Sequence, residues 1–235
     1  MYIIRLFLIA LYSFLLSLVA ILSALIDRSN TTYWWIVRIY GRGVLLLAGI
    51  RLKITGLENF DHNEAYVFVA NHMSNFDISA LQAGIPNRAR MFFKKELGRI
   101  PFFGWQLVLG PYFSVDRKNA EKAMKTIEDA KNVMLTKKDS VLLFAEGTRS
   151  KDGTVQPFKR GAFNLAVKVK HPVVPVSISG TNKIMQKGSL KIYSGRDIIV
   201  HFDKPISTED VNTRQEEIAL MEKVREIIIA NKVDL

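Results

Sequence analysis

The chain has 235 residues, with 33 Lys and Arg against 22 Asp and Glu, a formal charge of +11 and 49% apolar residues. That length suits one sizeable α/β domain with an appendage, and the apolar content excludes disorder and collagen-like or low-complexity chains. The absence of cysteine excludes a disulfide framework, a thiolate metal site and a cysteine nucleophile, while the positive charge predicts an anionic partner: nucleic acid, a phosphorylated substrate or an anionic membrane.

From Leu6 to Ile26 no residue is charged, and Leu, Ile, Phe, Ala and Val dominate. As a helix this stretch approaches the thickness of a bilayer hydrocarbon core, and it has no polar face of the kind a soluble helix shows. It is too long for a signal peptide, and no A-x-A cleavage site follows. Asp27–Asn30 breaks the run. A second segment, Tyr33–Ile50, opens on Tyr33, Trp34 and Trp35, residues of the type that sits at headgroup level. Arg38 and Arg42 share one face of it, which predicts a helix lying in the interface or packing its arginines against protein. Residues 1–50 therefore read as a membrane-associated helical hairpin, dipping into one leaflet or spanning and returning. Arg38, Arg42, Arg51 and Lys53 predict a body on the cytoplasmic face, at the inner membrane if the source is bacterial. The alternative is a soluble hairpin capping the domain.

From residue 51 to 235 strands alternate with helices. Strands are predicted at Arg51–Thr55, Tyr66–Ala70, Met91–Phe93, Tyr112–Val115, Val141–Phe144 and Val173–Ile178, with Asp197–Phe202 as an edge candidate. Ala120–Met134 carries Ala120, Ala123, Met124, Ile127, Ala130 and Met134 on one stripe. Arg160–Val169 is a shorter helix, and Thr213–Asn231 closes the chain with Ile218, Met221, Val224 and Ile228 inward. This pattern predicts one α/β domain, a largely parallel sheet flanked by helices.

Ligands of such sheets bind where strands end. After Tyr66–Ala70 comes Asn71-His72-Met73-Ser74-Asn75-Phe76-Asp77. His72 and Asp77 cannot share a helix face, but a loop histidine and a carboxylate in the first turn of the next helix can meet. Asp77 then accepts a hydrogen bond from one imidazole nitrogen and leaves the other as a base; a capped loop with a satisfied histidine is the bland alternative. After Val141–Phe144 comes Ala145-Glu146-Gly147-Thr148-Arg149-Ser150, where the glycine permits close backbone approach and Arg149 offers a fork suited to phosphate. Phe158-Lys159-Arg160-Gly161 opens a helix whose amides attract an anion, and Arg117 follows another strand directly. Converging, these groups suggest a phosphate cradle, although no Walker loop is present. Phe92, Phe93, Phe102, Phe103 and Trp105 read as an acyl tunnel, a membrane contact or ordinary core.

The segment Asn71–Asp77 resembles the NHxSxxD form of the HX4D motif of glycerolipid acyltransferases. Phe93-Lys94-Lys95-Glu96-Leu97 with Ile100-Pro101-Phe102-Phe103-Gly104-Trp105, then Gly110–Arg117, Phe144–Ser150 and Val174-Pro175-Val176 resemble the blocks that follow it, in family order, over roughly residues 50 to 205. Ser114 departs from the aliphatic residue usual there. HX4D alone is common by chance; with EGTR about seventy residues later it is specific. The chain is similar to the 1-acyl-glycerol-3-phosphate (lysophosphatidate) acyltransferases.

That resemblance implies an enzyme of phospholipid synthesis. His72 acts as general base on the sn-2 hydroxyl of lysophosphatidate, Asp77 orients the ring, and the oxygen attacks the thioester of acyl-CoA or acyl carrier protein to give phosphatidate. Lys94, Arg117 and Arg149 bind the glycerol phosphate, with Glu146, Gly147 and Thr148 shaping the loop. It implies no metal and no resident cofactor, the acyl donor being a substrate, and a membrane bilayer as partner. Other readings keep the mechanism but change the acceptor to glycerol 3-phosphate, another lysophospholipid or a lyso-aminolipid, or reduce the chain to a non-catalytic membrane-anchored lipid binder. Nucleic acid is not expected, since the charges are spread over loops and no reading motif is present.

Overall fold

The computed structural model describes residues 2–116 and 118–235. Helix α1 (Tyr2–Ile26) and helix α2 (Thr31–Ala48) form an antiparallel hairpin. The turn is closed by Asp27, whose carboxylate accepts from the amides of Ser29 at 2.9 Å and Thr32 at 2.8 Å. The hairpin is stitched along its length: Arg5 donates to the carbonyl of Leu47 at 2.9 Å and Tyr12 to that of Ile39 at 2.8 Å.

Among the described residues seven strands follow in one sheet: β1 (Arg51–Thr55), β2 (Val67–Ala70), β3 (Ala89–Lys94), β4 (Phe113–Val115), β5 (Ser140–Phe144), β6 (Val173–Ser179) and β7 (Asp197–Phe202), in the spatial order β1-β7-β6-β2-β5-β3-β4. Every pairing is parallel except β6 with β7. The helices are α3 (Phe76–Gly84), α4 (Phe103–Leu109), α5 (Ala120–Lys137), α6 (Gly161–Val169), the single turn α7 (Thr181–Ile184) and α8 (Arg214–Asn231). Alternate residues of the central strands face opposite layers. Phe68, Ala70, Leu142, Val174 and Val176 pack with α2 and α3, while Val67, Val69, Val141 and Val173 pack with α6 and α8 around Phe163 and Leu165. The largely parallel, helix-flanked architecture is therefore as expected.

Several expectations need correction. Strand β7 is not an edge: β1 pairs outside it, Arg51 opposite Asp197, and the edges are β1 and β4. Its polar-apolar alternation, exposed at Asp197 and buried at Ile198, Val200 and Phe202, mimics an edge because one sheet face is thinly covered there. In α8, Val224 and Ile228 are buried and Met221 packs partly buried against the core as expected, joined by Leu220, while Ile218 is exposed. The helix is rotated so that Glu217, buried, meets the guanidinium of Arg160 at 3.0 Å. At the start of α2, Tyr33 (1% exposed) and Trp34 (7%) are buried in protein, and only Trp35 (61%) projects outward. Arg38 packs as one alternative foresaw, donating to the carbonyl of Pro86 and lying 5.6 Å from the Trp35 ring centre.

Helix α2 thus has two partners, α1 on one side and α3 on the other, and Gly41 is where it meets α3. A Cβ there would lie 2.6 Å from the Ser79 carbonyl oxygen and 2.7 Å from the Ala83 nitrogen, both rigid backbone atoms. In an unobstructed helix Gly→Ala stabilises by about 1 kcal/mol. Here Gly41→Ala is expected to do the reverse, lowering the thermal midpoint in detergent; a midpoint at or above that of the native chain would show that the seam relaxes freely.

Candidate functional site

Strands β2 and β5 are adjacent and parallel, with Ala70 opposite Phe144, so the loops that follow them leave the same end of the sheet side by side. The first loop carries Asn71 to Asp77. Asn71 is fully buried and binds β6 twice, donating to the Ile178 carbonyl at 3.0 Å and accepting from the Ile178 amide at 2.8 Å. Ser74 donates to the Met185 carbonyl at 2.8 Å. Between these anchors the chain curls around Asp77, in the first turn of α3. Its Oδ2 takes the amides of Met73 at 2.6 Å and Ser74 at 2.8 Å, and lies 2.8 Å from His72 Nδ1. Asp77 is wholly buried, whereas the His72 side chain keeps 10% of its surface exposed.

Because the carboxylate accepts at Nδ1, the proton of a neutral imidazole sits there and Nε2 is left as the basic nitrogen. Nε2 has no hydrogen-bond partner among the described residues. The ring lies flat on Phe144, centroids 3.9 Å apart and planes 15° from parallel, so its rotation is restricted on one side by a carboxylate and on one face by an aromatic ring.

The second loop closes on the first. Glu146 Oε1 accepts from the amide of His72 at 2.7 Å, Oε2 accepts from the amide of Gln156 at 3.2 Å, and the Ser150 amide donates to the His72 carbonyl at 2.8 Å. Glu146 is therefore buried with its carboxylate turned to backbone. Desolvation pushes it up to about 7; the two amides and Arg225 hold it back, and Asp77 adds to the rise. Gly147 has φ +70°, and a Cβ there would meet the Lys159 side chain at 3.0 Å, so glycine serves both the left-handed backbone and the close approach. Thr148 and the Arg149 carbonyl are held by Lys187 Nζ, at 3.1 and 2.7 Å. The Arg149 guanidinium is half-buried, with no acceptor among the described residues.

Lys94 ends β3, the strand beside and parallel to β5, at the same carboxyl end of the sheet. It lies 3.6 Å from Glu96, and among the described residues no hydrogen bond joins it to the His72 network. Arg117 lies outside the described residues. Arg160, expected among the anion-attracting groups, is instead bound through two nitrogens to Glu217, each at 3.0 Å, which neutralises its charge. Sequence reasoning passed over Lys187, for which a lone lysine in an aperiodic loop gives no signal. It also passed over the Phe144 ring, which strand patterning marks only as apolar, and over the backbone role of Glu146.

From this corner a cavity of about 710 Å³ runs between the hairpin and the body, within the range of small-molecule sites. Phe144, Gly147 and Lys159 line it from the body, and Ile9, Leu16 and Ala20 from α1. Phe92, Phe93 and Phe103 line it, while Phe102 and Trp105 do not. The α5 stripe divides too: Ala130 and Met134 are core, but Ala123, Met124 and Ile127 face the cavity.

Comparison with known proteins bears on this arrangement. The acyltransferase family profile matches residues 51–179. A 1-acyl-sn-glycerol-3-phosphate acyltransferase of Saccharomyces cerevisiae is 32% identical over 212 residues, covering 89% of this chain and 69% of its own. The human 1-acyl-sn-glycerol-3-phosphate acyltransferase alpha is 31% identical over 210 residues, covering 89% and 74%. The crystal structure of the 1-acyl-sn-glycerophosphate (LPA) acyltransferase of Thermotoga maritima shares the fold with a TM-score of 0.77 at 24% identity, over 98% of this chain and 95% of that one.

The raised Glu146 carboxyl has a measurable consequence. Between its ordinary value of 4.5 and about 7 the folded chain holds a proton that the unfolded chain has lost, so this group's contribution to stability falls as pH rises through that window and is level above it. Denaturant unfolding followed from about pH 5 to 8 is expected to show this slope in the native chain. Glu146→Gln is expected to remove it; an unchanged slope would mean that the carboxylate ionises normally in the fold.

Proposed function

The chain belongs to the acyltransferase family, and from that membership we propose that it transfers an acyl group from a thioester donor, acyl-CoA or acyl carrier protein, to the sn-2 hydroxyl of lysophosphatidate, giving phosphatidate. The observation that carries the reading is the His72–Asp77 pair at 2.8 Å, with Nε2 unengaged among the described residues and the ring stacked on Phe144, which lines an apolar cavity. The curated relatives named for this reaction support the acceptor.

In this reading Nε2 takes the proton of the acceptor hydroxyl as its oxygen attacks the thioester carbonyl. A tetrahedral intermediate collapses, the C–S bond breaks, and the imidazolium returns the proton to the departing thiolate. A thiol, with a pKa of about 8.5, leaves without strong acid assistance. Asp77 holds Nδ1–H and stabilises the imidazolium; its two amide donors keep the carboxylate oriented. Glu146 positions His72 through its backbone amide. Arg149, with Lys94 and Arg117 as the resemblance implies, takes the phosphate, as a planar fork suits two phosphate oxygens. The reaction needs no metal or resident cofactor. An acyl chain fits the cavity wall formed by α1, α3 and α5.

The hairpin sets the membrane geometry. Stitched to α2 along its length, and with α2 seated on α3, helix α1 lies beside the body while Phe7, Leu15, Leu22 and Ile26 project outward. This favours a helix lying in one leaflet, on the cytoplasmic face where the thioester donor is found.

His72→Ala is expected to lower phosphatidate formation from labelled lysophosphatidate by at least the 10²- to 10⁴-fold range of general-base assistance, with the thermal midpoint retained. Loss of both together would make the histidine structural. Arg149→Ala is expected to raise KM for lysophosphatidate and leave the donor KM unchanged; the opposite split would move the arginine to the donor side.

A further inference from the structure

The segment between β3 and β4 is built as an outward apolar face. Residues Lys95–Arg99 form a 3-10 turn, and α4 follows. On α4, Gly104 and Leu107 are buried, while Trp105 (48% exposed), Val108 (62%) and Leu109 (48%) stand on the opposite side at i, i+3 and i+4. Ile100 is exposed beside them. None of these four lines the cavity. Four large apolar side chains so arranged form a patch of the kind that marks an interaction site.

The patch continues a neighbouring surface. Phe102 sits 5.0 Å from Phe14 of α1, edge to face, and 5.0 Å from the Trp105 ring, so an aromatic run joins α4 to the outward apolar face of α1. Phe102 holds φ 61°, ψ −60°, and the Phe103 amide donates to the Pro101 carbonyl at 2.7 Å. That is a γ-turn with positive φ, a strained conformation that turns the Phe102 ring onto α1. At the border of the patch stand Lys94, Lys95 and Arg99, all exposed. Lys94 and Lys95 have carboxylates at 3.6 Å, and Arg99 has no acidic partner among the described residues. Apolar residues with a tryptophan, ringed by cations and continuous with an apolar helix, match the boundary between acyl chains and anionic headgroups.

We propose that α4 and the turn before it are a second membrane-contact element, seating Ile100, Trp105, Val108 and Leu109 in the same leaflet as α1 through an anionic phospholipid surface. The contact would close the hairpin side of the cavity against lipid from two directions and fix the tilt of the body, which one helix alone leaves free to roll. It does not depend on the chemistry assigned to His72.

The lack of cysteine makes the test direct. Full-length chains carrying a single Val108→Cys, Leu15→Cys or Lys223→Cys substitution are labelled with an environment-sensitive NBD dye. Each is then bound to vesicles of phosphatidylcholine and phosphatidylglycerol, with or without nitroxide-bearing lipid. Leu15 is the lipid reference on α1, and Lys223 on α8 the aqueous one. The expected result is a several-fold rise in NBD emission at position 108, quenched by lipid nitroxide as at position 15 and shielded from aqueous iodide. If position 108 behaves as position 223 does while position 15 is quenched, α4 stays in water and the proposal fails. A rise at 108 without nitroxide quenching would also overturn it, since a second copy of the chain, and not lipid, would then cover the patch. Trp105→Ala with Val108→Ala, unlabelled, is expected to weaken vesicle sedimentation several-fold with its thermal midpoint kept; unchanged sedimentation counts against the proposal.

Discussion

Adjacent parallel strands run side by side at about 4.8 Å, and when Ala70 stands opposite Phe144 the loops leaving β2 and β5 have to share one small volume. The carboxylate of Glu146 turns that proximity into a fixed geometry. It reaches across to the amide of His72, Ser150 ties back to the carbonyl of the same residue, and the loop that carries His72 is held at both its amide and its carbonyl. Burying a carboxylate is costly, and the rise of its pKa to about 7 is the sign of that cost. What it sustains is a histidine ring held by Asp77 at one nitrogen and by Phe144 at one face. Base catalysis requires an orientation of this kind, since a misplaced base loses much of its effect.

The body and the hairpin divide the work according to the substrate. A lysolipid has a charged head and a long apolar tail, and the fold offers each its own surroundings. The strand ends supply dipoles, amides and cations, as parallel sheets generally do. The 710 Å³ cavity supplies an apolar wall, much of it from α1 and α2. The hairpin is thus more than an anchor, because without α1 the cavity would lose one side. This also explains why α2 is buried on α3 at Gly41: a wall of the cavity needs a fixed distance from the sheet.

Much of the site could be read along the chain, since its parts are local. His72 and Asp77 are five positions apart, and a loop running into a helix brings them together with no help from distant residues. The glycine of Glu146-Gly147-Thr148-Arg149 suggested a close backbone approach, and the structure adds what spacing does not show, a left-handed φ of +70°. Strand positions were legible because buried parallel strands are uniformly apolar. Rotation was less so. The α8 stripe was placed on Ile218 when the helix turns on Glu217, and its ion pair with Arg160 draws on residues 57 positions apart.

The chain's own pattern therefore determined the alternation of elements, the apolar hairpin and the loops that bear the reactive groups, because each rests on spacing within a few turns or strands. Tertiary structure decided the rest. It set which strand neighbours which, so that β7 lies inside the sheet. It set which charges are spent on partners, as Arg160 is, and which have no acceptor among the described residues, as Arg149 has none. It also chose which aromatics face the cavity, which face each other and which face outward. Such choices depend on packing between segments far apart in sequence, where hydropathy is the same whether a phenylalanine meets core, ligand or lipid.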